Sequence, residues 1–274
     1  MKRILVPTDF SIHADYALKV AAQIARENDC ELFLLNLLDL PTHMNDAVSS
    51  GVNIPEVMLF LQKTNDRFEE IKASIDMQGI KITSEARSEK AFEGIAKYSK
   101  EHQIDLIVMG SHGASGHKDT YLGSNTEKAV RRSEIPVLII KGEIDNFNPK
   151  NFVFATDFSE ETKKPFQKLL RFMNLFNSNL NLLMINTPNN FKPTHVAERI
   201  MKDFMKDFPI ENYTLNFYCD TNVEKGITNY ANSVNADLIG VFTHGRTGIT
   251  HFFNGSTSED LAAHLHRPVI TFKI

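Results

Sequence analysis

The amino-acid sequence predicts an α/β protein of two tandem doubly wound domains, each a five-stranded parallel sheet flanked by helices. Three observations predict it. With 274 residues the chain is longer than a typical single domain. Short apolar runs alternate with segments of helical periodicity, the pattern of right-handed crossovers between parallel strands. The chain also repeats itself, a signal that outranks purely local ones. Ile4-Leu5-Val6-Pro7-Thr8-Asp9-Phe10-Ser11 returns as Phe152-Val153-Phe154-Ala155-Thr156-Asp157-Phe158-Ser159, and Asp105-Leu106-Ile107 returns as Asp237-Leu238-Ile239. The first pair lies 148 positions apart and the second 132, so the second copy lacks 16 residues that the first carries between Asp39 and Glu93. The polar stretch Gly142 to Pro149 reads as a linker. Domains are therefore expected at 1–141 and 151–274, joined by 142–150.

Each element follows in order. Residues 3–7 are a short apolar run, as a buried strand requires. Over 12–28, Ala14, Ala17, Leu18, Ala21 and Ala25 share one helical face. Residues 32–38 are almost continuously apolar, as in a parallel strand covered on both faces. Val57, Phe60, Leu61, Phe68, Ile71 and Ile75 recur at helical spacing. A strand over 80–86, a helix over 91–102, a strand over 106–109, a helix over 125–132 and a strand over 137–140 complete the first copy. The second copy takes the same order and closes with a strand over 269–272. Its Phe172, Phe176, Phe204 and Phe208 fall at helical spacing and read as core, while 198–208 set Lys and Glu on the opposite, solvated face. Glu93-Gly94-Ile95 and Lys225-Gly226-Ile227 are a further matched pair.

Composition removes several classes. Lys and Arg total 30 against 34 Asp and Glu, a net charge of −4, which is not the basic balance of a nucleic-acid binder. No run of about 18 apolar residues marks a membrane span. The first residues lack the apolar core of a signal peptide. Cys30 and Cys219, one in each half, imply no disulfide framework. The expectation is a cytoplasmic protein with no nucleic-acid or membrane partner.

The chemistry-bearing pattern closes each copy. Residues 110–124 read Gly110-Ser111-His112-Gly113, nine residues, then Gly123-Ser124. Residues 242–256 read Phe242-Thr243-His244-Gly245, nine residues, then Gly255-Ser256. Glycines between a strand and a helix let backbone approach a ligand, and the helix N-terminus behind them turns N–H groups toward an anion. Ser124-Asn125-Thr126-Glu127 and Ser256-Thr257-Ser258-Glu259 have capping-box form, so Ser124 and Ser256 are expected at N-cap. Taken alone, the serines need only cap and the glycines only turn. Asp9 and Asp157, each closing a first strand, suit a ribose hydroxyl or a phosphate-borne metal, or else cap the next helix. No Gly-Lys-Ser/Thr follows the glycines, so this is not a P-loop. Nor is it the dinucleotide fingerprint, which follows the first strand.

Val6-Pro7-Thr8-Asp9-Phe10-Ser11, Met109-Gly110-Ser111-His112-Gly113, the nine-residue spacing to Gly123-Ser124, and Pro136-Val137-Leu138 together resemble the universal stress proteins. The resemblance spans nearly the whole chain as two tandem domains. It implies a five-stranded Rossmann-like sheet of the adenine nucleotide alpha hydrolase type. The family's ATP-binding members carry this glycine pattern and many non-binding members do not. By resemblance, Gly110, Gly113, Gly123 and Ser124, with Asn125 and Thr8 alongside, wrap the phosphates of ATP or a related adenine nucleotide. Asp9 then meets ribose or Mg2+, and Pro7, Leu37 and Met109 lie near adenine and ribose. Domains of this type pair through their last strand, so pairing within the chain and a homodimer are both expected.

The second copy departs from the pattern at Phe242, whose ring either fills ribose space or turns away. Thr156, Asp157, Gly245, Arg246, Gly255, Ser256 and Thr257 remain as candidates there. His112 and His244 face the phosphates, serve as acid–base groups or position the loop. No nucleophile–base–carboxylate set accompanies them, so no catalytic residue is assigned and any ATPase activity is expected to be weak. His264 and His266 lack the partners of a metal site. Residues 41–51, within the extra segment of the first copy, read as a lid over the crevice or as a plain surface loop.

Overall fold

A computed structural model describes residues 1–39, 55–112, 123–243 and 267–274. The chain divides into two compact units, Met1–Ala129 with Gly142–Phe147, and Val130–Lys141 with Asn148–Ile274.

The first unit opens with β1 (Arg3–Pro7), α1 (Ile12–Asn28) and β2 (Glu31–Leu37). It continues through α2 (Pro55–Ala73), β3 (Ile82–Arg87), α3 (Ala91–Glu101) and β4 (Leu106–Gly110) to the start of α4 (Ser124–Arg132). The strands lie in the order β3-β2-β1-β4, and all three pairings are parallel. Ile4, Leu5, Val6, Leu32, Leu34, Leu35, Leu106, Ile107 and Val108 are 0–1% exposed, which is why these strands read as unbroken apolar runs. Burying each such side chain contributes about 1.5–3 kcal/mol relative to exposure. Ser11 caps α1 by accepting from the Ala14 N–H at 3.3 Å. The alanine face foreseen for α1 is buried, and small side chains let the helix sit close on the sheet. Asp29 ends it with φ 50°, where its N–H bonds back to Ala25.

The second unit takes β5 (Val137–Ile140), β6 (Asn151–Ala155), a 3-10 turn (Glu160–Thr162) and α5 (Lys163–Met173). Then come β7 (Asn179–Asn186), α6 (Thr194–Met205), β8 (Tyr213–Cys219), α7 (Val223–Ser233), β9 (Leu238–Thr243) and β10 (Val269–Lys273). The order is β5-β10-β9-β6-β7-β8, parallel except that β5 runs antiparallel to β10, with Ile139 opposite Val269. That pairing places β5 in the second unit, so the compact boundary falls inside α4, before the strand that ends the first sequence copy. The core is built from rings: Phe152, Phe154, Phe166, Phe172, Phe204 and Phe208 are buried and meet edge-on or tilted at 4.6–6.4 Å.

Gly94 and Gly226 have one explanation. A Cβ on Gly94 would stand 2.7 Å from the Leu37 side chain, and one on Gly226 would stand 2.7 Å from that of Ile185. Each glycine lets α3 or α7 press onto the strand beside it.

Candidate functional site

In each unit the chain runs outward from a central strand and then returns to its other side. In the first the reversal lies between β1 and β4, in the second between β6 and β9. Open parallel sheets hold ligands beyond the carboxyl ends of the strands at such a reversal. Asp9 and Gly110 stand there in the first unit, Asp157 and Phe242 in the second.

Both Asp residues sit in the same tight turn. The Phe10 N–H donates to Thr8 Oγ1 at 3.0 Å and the Ser11 N–H to Asp9 Oδ1 at 3.1 Å. In the second unit the Phe158 N–H donates to Thr156 Oγ1 at 3.1 Å and the Ser159 N–H to Asp157 Oδ1 at 3.0 Å. The turn needs a left-handed residue, and both copies use phenylalanine for it, with φ 60° at Phe10 and 59° at Phe158. A bulky residue there costs about 1–2 kcal/mol. Ring packing offsets that cost: Phe10 meets Phe68 at 5.5 Å and Phe158 meets Phe204 at 5.4 Å. Thr8 is further held by its N–H on Leu35 O at 2.9 Å and by Asn36 Nδ2 donating to its carbonyl at 2.9 Å. The result is an exposed carboxylate on a rigid base in each unit.

The other half of the first site is the base of the glycine segment. The Gly123 N–H donates to Ser111 O at 2.7 Å, and the buried Thr126 hydroxyl donates to Gly110 O at 2.9 Å. These two bonds tie the start of α4 to the end of β4. The first intrahelical bond runs from the Glu127 N–H to Gly123 O at 2.9 Å. Gly123 is therefore the N-cap, and the expected capping serine, Ser124, lies one residue inside the helix. The physical reason is that the Gly123 carbonyl is already spent as first acceptor. The N–H groups of Ser124, Asn125 and Thr126 precede any intrahelical acceptor and form the positive end of the helix. Ser124 and Asn125 are exposed there.

Gly110 has a second reason to be glycine. An added Cβ would stand 2.5 Å from His13 O and 2.6 Å from His13 C, in the backbone of the first turn of α1. The His13 and His112 rings meet at 5.4 Å, and Ser111 Oγ lies 3.0 Å from His112 Nδ1. Burial holds the His13 pKa below its ordinary value, with His112 adding to the effect and Asp9 opposing it. Burial likewise raises the Asp15 carboxyl, against the pull of Arg67 and Lys19. Of the remaining candidates, Met109 is buried, Pro7 is half-buried, and Leu37 is half-buried with its side chain against Gly94.

The universal stress protein family model matches residues 1–141 and 219–273. The chain belongs to the universal stress protein family. A universal stress protein of Methanocaldococcus jannaschii is 30% identical over 154 residues, covering 51% of this chain and 94% of that protein. Universal stress protein YxiE of Bacillus subtilis is 29% identical over 154 residues, covering 51% of this chain and 98% of that protein. A crystal structure of a universal stress protein from Archaeoglobus fulgidus, 22% identical, aligns with a TM-score of 0.72 over 99% of this chain and 96% of its own; it bears on the fold.

This universal stress protein treats its two reversal points differently. Phe242 is half-buried and its ring packs on core rings, 4.7 Å from Phe154 and 6.3 Å from Phe272. Where α1 begins directly after its capping serine, the second unit makes a 3-10 turn before α5. Gly113, His244, Gly245, Arg246, Gly255, Ser256, Thr257, His264, His266 and the segment 41–51 lie outside the described residues. Among the described residues, no cluster of three His, Cys, Asp or Glu side chains is placed to hold a metal, and no helix is long and apolar enough to cross a membrane. The sequence pattern by itself gives no role to Phe10, Phe158, Asn36 or Thr126. The signal for the two phenylalanines was present, since they match between copies.

Proposed function

We propose that the first unit binds ATP or a related adenine nucleotide, accompanied by Mg2+, at the reversal point between β1 and β4. The observation that carries this reading is that two built features belong to one strand-order reversal. One is the Asp9 carboxylate on its strained Thr8–Ser11 turn, and the other is the N-terminal, positive end of α4, tied to Gly110 and Ser111. These residues fit a nucleotide. Ser124 and Asn125 face the phosphates, Gly123 lets the backbone approach them while its N–H stays on Ser111 O, and Gly113 joins by family resemblance. Asp9 faces ribose or the phosphate-borne metal, and Pro7 and Leu37 border the base. The metal, held by phosphate oxygens, supplies charge neutralisation when bound. In this reading residues 1–141 and 151–274 act as two family domains of a cytoplasmic protein, and the second holds nucleotide weakly or not at all. The nucleotide acts as a ligand whose preference for one state shifts the population, with at most slow hydrolysis.

The antiparallel β5–β10 pairing supports a second reading, a nucleotide-independent scaffold whose two copies join through their last strands. One experiment separates the two. Freshly purified protein is denatured, the released small molecules are chromatographed, and melting is followed with ATP and Mg2+ added. Adenine nucleotide in the extract, and a stabilising shift lost in Gly113→Val but kept in Gly245→Val, is the expected result. No nucleotide and no shift overturns the binding reading, and rapid ATP turnover overturns its regulatory form.

A further inference from the structure

We propose that β8 is a docking edge for a second copy of this chain, pairing antiparallel with its own counterpart to form a two-fold dimer. Among the described residues, β3 and β8 each have a strand neighbour on one side only. Such an edge presents a row of unpaired N–H and C=O groups, and proteins guard it with charge, proline or brevity. β3 is guarded. Its six residues include Glu85 and Arg87, which pair with each other at 2.6 Å, and Arg87 also reaches Glu101 at 2.7 Å. β8 carries no guard: its seven residues, Tyr213-Thr214-Leu215-Asn216-Phe217-Tyr218-Cys219, include no charge and no proline. None of the seven is fully buried, and Thr214 and Cys219 are exposed.

The strand is also complementary to itself. A two-fold axis at Asn216 sets Leu215 against Phe217, Thr214 against Tyr218 and Tyr213 against Cys219. Each pair joins a ring to a smaller side chain, and no like charges meet; such cross-strand pairs stabilise antiparallel sheets. Side chains within the unit already hold the strand straight for pairing. Thr214 Oγ1 donates to Asn181 Oδ1 at 3.0 Å, Asn216 Nδ2 donates to Thr214 Oγ1 at 2.8 Å, and Tyr218 packs on Tyr230 at 5.7 Å. β8 is neither the last strand of a copy nor beside a strand-order reversal, so the proposal rests on neither last-strand pairing nor nucleotide binding.

The test uses the full chain. Light scattering behind size exclusion, over a dilution series, is expected to give a dimer that dissociates on dilution, with β8 amides slow to exchange hydrogen only in the dimer. Thr214→Lys adds a charge to the edge and is expected to yield monomer, while Ser84→Lys on β3 leaves the dimer intact. Cys219 is exposed and Cys30 buried, so a spin label reports on Cys219. With the axis at Asn216, the two Cys219 Cα atoms lie about 20 Å apart, six residues of rise. A label distance in that neighbourhood supports the proposal even if Thr214→Lys misfolds. A monomer at all concentrations overturns it. So does a dimer whose β8 amides exchange freely, or one whose labels lie beyond the reach of an edge-to-edge sheet.

Discussion

Substituting Gly110 by alanine separates the packing demand on this residue, room for α1, from the nucleotide role proposed for it. The added methyl would lie 2.5 Å from His13 O, 2.6 Å from His13 C and 2.9 Å from His13 Cβ. Two of those three atoms are backbone, so no rotamer change relieves the clash, and the first turn of α1 must move off β4. Overpacking of this kind costs about 1–3 kcal/mol, and a backbone obstacle argues for the upper part, about 2–3 kcal/mol. For a unit of this size that corresponds to a fall in melting temperature of about 6–12 °C. The assay is thermal unfolding without nucleotide, read alongside hydrogen exchange of α1 and β4, since two units need not melt as one transition. His13→Ala in the same background is expected to restore little, because the nearest atoms remain. A Gly110→Ala protein that melts within about 1 °C of wild type, yet no longer responds to nucleotide, would refute the packing argument and return Gly110 to the ligand alone.

Three further outcomes follow from the same geometry. Phe10→Ala is expected to cost about 2 kcal/mol in urea denaturation, less than a fully buried phenylalanine because the ring is half-buried. Phe10→Gly should be more stable than Phe10→Ala by about 1 kcal/mol, since φ is 60° and glycine bears a left-handed backbone without penalty; the reverse order would remove the strain argument. Thr126→Val leaves the Gly110 carbonyl without its buried donor and is expected to cost about 1–3 kcal/mol, with faster exchange at the start of α4. The His13 pKa is depressed in the folded state, so the unfolded chain binds the extra proton first. Its contribution is present above about pH 6.5 and is lost as pH falls through the folded value. Melting temperature between pH 8 and 5 should therefore drop more steeply for wild type than for His13→Gln, and parallel curves would contradict it.

Much of the fold was legible because the chain writes it twice. The apolar runs that became β1, β2 and β4 could be buried on both faces only as central parallel strands, and the alanine stripe of α1 could serve only close packing. The site was legible in part. Asp9 and the glycine pattern were visible as residue types, but their meaning depended on contacts far apart in sequence. Nothing local at Gly110 reveals that His13 O stands where a Cβ would go. The capping-box reading of Ser124 missed by one residue because Gly123 supplies the first carbonyl, a choice that side-chain type alone does not record. The repeat marks Phe10 as a matched position but not its role: propensity argues against phenylalanine at positive φ, and tertiary packing on Phe68 overrides it.

The two units agree and differ in a pattern that itself bears on function. They agree in the Thr-Asp-Phe-Ser turn and in the glycines under α3 and α7, features that any sheet of this kind needs to pack. They differ around the reversal point. The first unit has glycine at 110, where the backbone of α1 descends onto β4. The second has its glycine at 240, two residues earlier on the same face of the matching strand, where a Cβ would clash with the Phe152 and Phe154 rings. With the glycine two positions earlier, Phe242 stands at the strand end beside Phe154 and Phe272, and the second unit also makes a 3-10 turn before α5. The half-buried Phe242 ring adds aromatic contacts at the strand end where the first unit brings the backbone of α1 against glycine. The second unit thus carries phenylalanine where the first keeps glycine under the backbone of α1, and that asymmetry supports the proposal that nucleotide binds in the first unit.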